Sequence, residues 1–169
     1  MYRQFLARRL AEEQHSYPHH YQRVIVDQGH LNPDLTTLAE RFSRSLGREQ
    51  VRHKAEQVEL GSITQDNFTM LLSELFHDGG ITQERILVLF FFCSDLAIRA
   101  VRAGLSTVLS SITRWTVAFV RGTVAAWVKC RGGWARVLRG GMGMVNQLAF
   151  MGVCAAVIGA CAIYIRKNL

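Results

Sequence analysis

Arg85 is the side chain whose position in the sequence most directly suggests a chemical role. It precedes residues 86–93, ILVLFFFC, in which no side chain needs a hydrogen bond. A helix that is apolar on all sides belongs at the centre of a bundle, and the dipole at a helix N-terminus disfavours a cation. The guanidinium therefore favours a partner, and a carboxylate suits it because charge-assisted hydrogen bonds are strong. An Asp or Glu of this chain or of a bound molecule meets that requirement.

Catalysis and metal binding are not indicated by the other reactive residues. The sequence contains no nucleophile elbow, phosphate-binding loop or metal-ligand motif, and the HDGG stretch at residues 77–80 is typical of a turn. Four histidines of the first loop lack acidic or cysteine ligands at a recognised spacing; they are His15, His19, His20 and His30. We therefore expect a binding protein without enzyme activity, cofactor or metal.

The apolar residues predict an all-α domain in residues 1–140. They recur at helical spacing almost throughout, and no stretch alternates over the length of a strand. Amphipathic helices are expected to wrap around the central apolar helix. Thr82 is placed to cap that helix, because its hydroxyl can accept a hydrogen bond from a backbone amide near Arg85.

An apolar stripe follows the first loop and has a charged face opposite it. Leu38, Phe42 and Leu46 recur every fourth residue, and Val51 continues the stripe. The charged residues of the opposite face are Arg41, Arg44, Arg48, Glu49, Arg52, Lys54 and Glu56. We expect this face to be solvated.

Glycines mark the expected helix breaks and turns in the second half of the chain. A long helical segment is expected over residues 105–128, with a weak point at Gly122. Gly132 and Gly133 predict a sharp turn, after which Trp134 begins a short helix.

The formal net charge of +7 suggests an acidic partner or an anionic membrane surface. The basic residues are mixed with acidic ones and are not interleaved with exposed aromatic residues, so a nucleic-acid partner is not expected. After Arg99 the excess of cations is more consistent with anionic lipid. These cations include Arg114, Arg121, Lys129, Arg131, Arg136 and Arg139.

Residues 148–165 contain no charge and predict a transmembrane tail anchor after a linker at residues 141–147. The apolar run is about the minimum length that crosses a bilayer as a helix, and Tyr164, Arg166 and Lys167 supply an aromatic and cationic edge. A buried C-terminal helix is the alternative, because the segment is rich in Gly and Ala. No signal-peptide pattern precedes it, so we expect the domain to face the cytosol. Cysteines without a disulfide pattern fit a reducing compartment.

Two motifs carry a resemblance to the Bcl-2 family of apoptosis regulators, which extends from about Leu38 to the end. The stretch ELFHDGGITQERILVLFFF is similar to the first homology region, with its Asp-Gly turn, its arginine and its long apolar helix. The stretch WVKCRGGWARVL is similar to the second homology region. Its matching residues are Trp127, Gly132, Gly133 and Trp134. Thr82 to Glu84 replace the family's Asn-Trp-Gly, and the glycine-acid pair of the third region is missing from residues 38–58.

The resemblance implies a hydrophobic groove that receives an amphipathic helix of a partner. Arg85 at the rim would bind an aspartate of that helix, with Glu74 at the groove edge and Thr82 beside it. The apolar positions implied to line the groove are Phe42, Leu46, Val51, Leu71, Leu75, Val88 and Phe92.

The resemblance also implies a function in apoptosis. A short early loop and a degenerate third region resemble virus-encoded or divergent survival members, so the chain is interpreted as an anti-apoptotic protein. It would sequester the death-motif helices of pro-apoptotic relatives and block permeabilisation of the mitochondrial outer membrane. The alternative on the same fold is a pro-apoptotic, pore-forming effector. Mitochondria or endoplasmic reticulum would receive the anchor, and a homodimer is left open.

Overall fold

The described residues of the computed structural model are 1–16, 31–77, 79–141, 157, 159 and 160, and those in regular structure are helical. The all-α prediction agrees with this part of the chain. The helices are α1 Tyr2–Ser16, α2 Pro33–Ser43, α3 Leu46–Gln57, α4 Gln65–His77, α5 Gln83–Arg102, α6 Ser106–Phe119, α7 Ala125–Cys130 and α8 Trp134–Gly141. A 3₁₀ turn, Leu60–Ser62, precedes α4, and a π-helical turn, Val120–Val124, joins α6 to α7.

Helix α5 is the centre of the fold, as its apolar sequence predicts. Every residue from Arg85 to Ile98 is buried, and α1, α3, α4, α6 and α8 all pack against it. Phe91 contacts the rings of Phe5 and Phe42, with centroids 5.1 and 4.9 Å away. These aromatic contacts join α1 and α2 to α5.

Local signals determine where α5 and α2 begin. The Thr82 hydroxyl accepts a hydrogen bond from the Arg85 amide at 3.2 Å, which confirms the predicted cap. At α2, the Asn32 side chain accepts from the Asp34 amide at 2.8 Å, and Pro33 occupies the first turn, where its missing N–H costs nothing. Both caps satisfy amides that have no partner inside their own helix.

The apolar stripe from Leu38 to Val51 is broken between α2 and α3. The amide of Ser45 bonds to the carbonyl of Phe42 at 2.9 Å, and the chain turns there before α3 begins. Phe42 stays in the core, whereas Leu46 is 70% exposed. The stripe does not continue through this position because the turn rotates α3 relative to α2.

The expected weak point at Gly122 is the π-helical turn, in which the Ala125 amide bonds back to the Val120 carbonyl. The predicted glycine turn is also found after α7. The amide of Gly133 bonds to the carbonyl of Val128 at 2.9 Å and that of Gly132 to Lys129 at 3.1 Å, which is a Schellman arrangement. Both glycines have positive φ, +87° and +89°, where a side chain would be strained.

The predicted linker and anchor lie outside the described residues, except for Gly141, Val157, Gly159 and Ala160. Val157 and Ala160 are buried with the hydrophobic core. Within the described residues, no helix is both long and apolar enough to cross a membrane. The side chains of the first-loop histidines also lie outside the description.

Candidate functional site

Arg85 lies between the end of α4 and the start of α5. Its guanidinium is buried, and Nη1 donates a hydrogen bond to the Leu75 carbonyl at 3.0 Å. That carbonyl is one of the last four of α4, which lack a partner inside the helix, and the C-terminus of a helix attracts a cation. The end of α4 therefore offsets the unfavourable dipole of α5.

Gly79 gives the Arg85 guanidinium its space beneath the α4–α5 turn. Its φ is +126°, and a Cβ built there would lie 3.0 Å from Arg85 Nη2. Both the backbone conformation and the close approach favour glycine. Gly79 thus leaves room for the arginine, and Gly80 also has a positive φ, +70°, that favours glycine.

The structure brings six of the implied groove positions into one closed core. Each of these side chains is at most 4% exposed; they are Phe42, Val51, Leu71, Leu75, Val88 and Phe92. They do not line an open cleft in this conformation. Glu74 and Thr82 are half-buried and Leu46 is exposed. A helix that uses these apolar surfaces therefore requires a rearrangement of this core.

The residues of the second motif hold α8 against the centre of the fold. Trp127 and Trp134 are half-buried, and the ring of Trp134 lies 6.2 Å from that of Phe90 on α5. The turn at Gly132 and Gly133 directs α8 toward α5 and α2, against which it packs. The role of these four residues in this structure is to position α8 on the core.

A buried Arg–Asp–Arg network was missed by the sequence analysis. Asp95 of α5 accepts two hydrogen bonds from Arg48 of α3, at 2.7 and 2.8 Å, and one from Arg9 of α1 at 2.9 Å. Both guanidinium carbons lie about 5 Å from the Phe91 ring centre, at 5.0 Å for Arg48 and 4.9 Å for Arg9. The network joins α1 and α3 to the middle of α5.

The prediction of a solvated Arg48 was therefore wrong. The side chains of Arg48 and Asp95 are only 12% and 7% exposed, and burial lowers the pKa of Arg48. The signal available in the sequence was Asp95 itself, because a carboxylate within a buried apolar helix needs a partner.

Helix α3 has a second polar attachment at its C-terminus. Arg99 of α5 donates from Nη1 to the carbonyls of Ala55 and Val58. These carbonyls lie where α3 ends, and that of Ala55 also accepts a weak hydrogen bond from the Val58 amide at 3.4 Å. Together with Arg48, Arg99 holds both ends of α3 on α5.

Buried reactive groups of α5 do not indicate catalysis. Burial raises the pKa of the Cys93 thiol to about 12, which keeps it neutral and unsuited to nucleophilic attack. Within the described residues, no group of three or more His, Cys, Asp and Glu side chains is placed to hold a metal.

Comparison of the sequence with known proteins shows which family and which relatives it resembles. The family model described as "Apoptosis regulator proteins, Bcl-2 family" matches residues 35–134. "Apoptosis regulator BAX" of Bos taurus is 31% identical over 71 residues, which are 42% of this chain and 37% of that protein. "Bcl-2 homologous antagonist/killer" of Homo sapiens is 35% identical over 88 residues, 51% of this chain and 41% of that protein.

A third relative is "Bcl-2-related ovarian killer protein" of Mus musculus, 27% identical over 100 residues, 59% of this chain and 46% of that protein. The matches thus span less than half the length of these three relatives. Two of them are named as killers, and all come from animals. They do not support the predicted similarity to virus-encoded survival members, and the anti-apoptotic prediction is not confirmed.

The family prediction is confirmed. The matching family model covers more than half of the chain and includes both motif regions apart from the last residues of the second. The all-helical fold around α5 agrees with that assignment. This chain belongs to the Bcl-2 family of apoptosis regulator proteins.

Proposed function

We propose that this protein regulates apoptosis as a membrane-permeabilising effector that rests in a closed form. The observation that carries this proposal is the burial of six of the seven apolar side chains implied to line the groove, each at most 4% exposed. A protein that sequesters helices binds them in an apolar groove, and a groove that already stands open receives them without rearrangement. Here the same surfaces are used internally, and opening them would expose the apolar core to a membrane or a partner.

The opening ligand in this proposal is an amphipathic death-motif helix of a Bcl-2 relative. Arg85, which donates to the Leu75 carbonyl in this structure, would bind an aspartate of the incoming helix through charge-assisted hydrogen bonds. Attachment to mitochondria or endoplasmic reticulum through residues 148–165 belongs to the same proposal. A homodimer remains a prediction.

A survival function is the second candidate, and Arg48 is the observation that favours it. An effector has to release a helix of its own. In this protein Arg48 of α3 binds Asp95 of α5 through two hydrogen bonds. This attachment opposes the release of α3. A chain whose α3 stays on α5 is better suited to receive a helix than to donate one.

Isolated mitochondria can distinguish the two functions. The full chain is added to mitochondria from cells without their own permeabilising proteins, with or without a death-motif peptide, and release of an intermembrane-space protein is measured. An effector should cause release that the peptide increases. Arg48→Met should increase release without peptide because it loosens α3, whereas Arg52→Met, on the exposed side of the same helix, should not.

The survival function predicts the opposite pattern. The chain would cause no release in that assay and would reduce release from mitochondria that retain their own permeabilising proteins. Absence of both release and protection by a folded protein would contradict both candidates.

A further inference from the structure

The surface of α6, α7 and the start of α8 carries a group of exposed cations. We call the exposed side chains Arg114, Arg121, Lys129, Arg131 and Arg136 the cationic face. The sequence contains no Asp or Glu after residue 95. In the part of the chain that the structure describes, none of these five side chains forms an ion pair.

The π-helical turn aligns three of these cations along one side of α6 and α7. Arg114 and Arg121 are about two helical turns apart, so they share a side of the helix. Lys129 would fall to another side in a regular α-helix, but the π turn between them takes up one extra residue. The three cations therefore form a row about 20 Å long.

Small side chains separate the cations of this row. Ala118, Gly122, Thr123 and Ala126 are exposed between them. Such residues allow the helix to approach a flat surface closely while the long cationic side chains reach to either side.

We propose that the cationic face docks onto the surface of a bilayer that contains anionic lipid. A straight row of unpaired cations complements a flat negative surface, and each cation adds to the attraction there. A single-stranded nucleic acid would need exposed aromatic rings on which bases stack. Trp115 and Trp127 are instead half-buried and packed against the core.

The order of the chain supports the same occupant. Residues 142–147 alone separate α8 from the apolar segment at 148–165, and a chain of that length spans at most about 25 Å. Any attachment of this segment to a bilayer keeps the cationic face close to the headgroups. The face itself does not depend on whether the protein promotes or opposes apoptosis.

Vesicle binding by the full chain tests the proposal. Binding to vesicles of phosphatidylcholine alone measures the contribution of the apolar segment. The increase in affinity for vesicles that also contain phosphatidylserine measures the contribution of negative charge. The test variant combines Arg114→Gln, Arg121→Gln and Lys129→Gln. The matched control combines Arg3→Gln, Arg44→Gln and Arg52→Gln, which are exposed on other helices and connections and lower the net charge equally.

The wild type should prefer phosphatidylserine vesicles, and the preference should weaken with salt. At about fivefold per cation, the test variant should lose about 100-fold in affinity for them, and the control should stay within about twofold. The double variant Arg114→Gln with Lys129→Gln should lose about 25-fold if the triple variant fails to fold.

Three results would overturn the proposal. One is no preference of the wild type for anionic vesicles. Another is an equal change, or no change, in the test and control variants, because binding would then follow net charge or the apolar segment alone. The third is stronger binding to single-stranded RNA than to the vesicles, abolished by the same substitutions.

Discussion

Two buried charged side chains of α5 make different contacts. Asp95 in the middle of the helix binds two arginines from α1 and α3, whereas Arg85 at the start donates to the neutral Leu75 carbonyl of α4. The first arrangement pairs opposite charges from three helices and is costly to break. The Leu75 carbonyl at the end of α4 is a weaker acceptor than a carboxylate would be. We therefore expect the ion pairs to hold α3 on α5, and Arg85 to bind a carboxylate of a ligand.

The largest expected effect comes from removing Asp95, which joins α1 and α3 to α5. Asp95→Ala should lower the free energy of unfolding by about 3–5 kcal/mol, because it leaves two buried guanidinium groups without their carboxylate. Denaturation in urea measures this change. Asp66→Ala, an exposed carboxylate of α4, is the control and should cost less than about 1 kcal/mol. Equal losses in the two variants would contradict the difference between the two regions.

Arg85→Glu tests whether Arg85 at the start of α5 binds an aspartate of the ligand. It should weaken binding of a labelled death-motif peptide by about 2 kcal/mol or more, about 30-fold, because it places a carboxylate opposite the ligand's aspartate. Fluorescence anisotropy measures the affinity. Arg114→Glu, with the same change of charge at an exposed position, should leave peptide binding within about twofold. Unchanged binding by a folded Arg85→Glu would remove Arg85 from the ligand site.

The smallest effect concerns the cap that orients Arg85. Thr82→Ala should lower the free energy of unfolding by about 1 kcal/mol, because the Arg85 amide loses its acceptor at the start of α5. Thr82→Ser keeps the hydroxyl and should restore most of that loss. If Ala and Ser variants unfold at the same urea concentration, the cap does not contribute to stability.

Features of this protein that depend on neighbours in the sequence were predictable. The central helix follows from a continuous apolar run, the Thr82 cap from a hydroxyl three residues before an amide, and the α7–α8 turn from two glycines that tolerate positive φ. The break at Gly122 was also predictable, although its form as a π turn was not. Each signal lies within a few residues of its effect.

The closed site was not predictable in the same way. The apolar spacing of Phe42, Leu71 and Leu75 marks faces that must be buried, but a partner helix or α5 itself can cover them. From the resemblance to the Bcl-2 family we predicted an open groove. In the structure these side chains are at most 4% exposed.

The sequence by itself determined the all-helical class, the Thr82 cap, the central position of α5 and the resemblance that the family comparison confirmed. Only the tertiary structure decided the partners of the buried charges. Arg48 and Arg9 meet Asp95 across separations of 47 and 86 residues, and helical periodicity carries no information over such distances. The charges of its own helix led to the prediction that Arg48 is solvated, and it is buried because Asp95, on another helix, needs its charge neutralised.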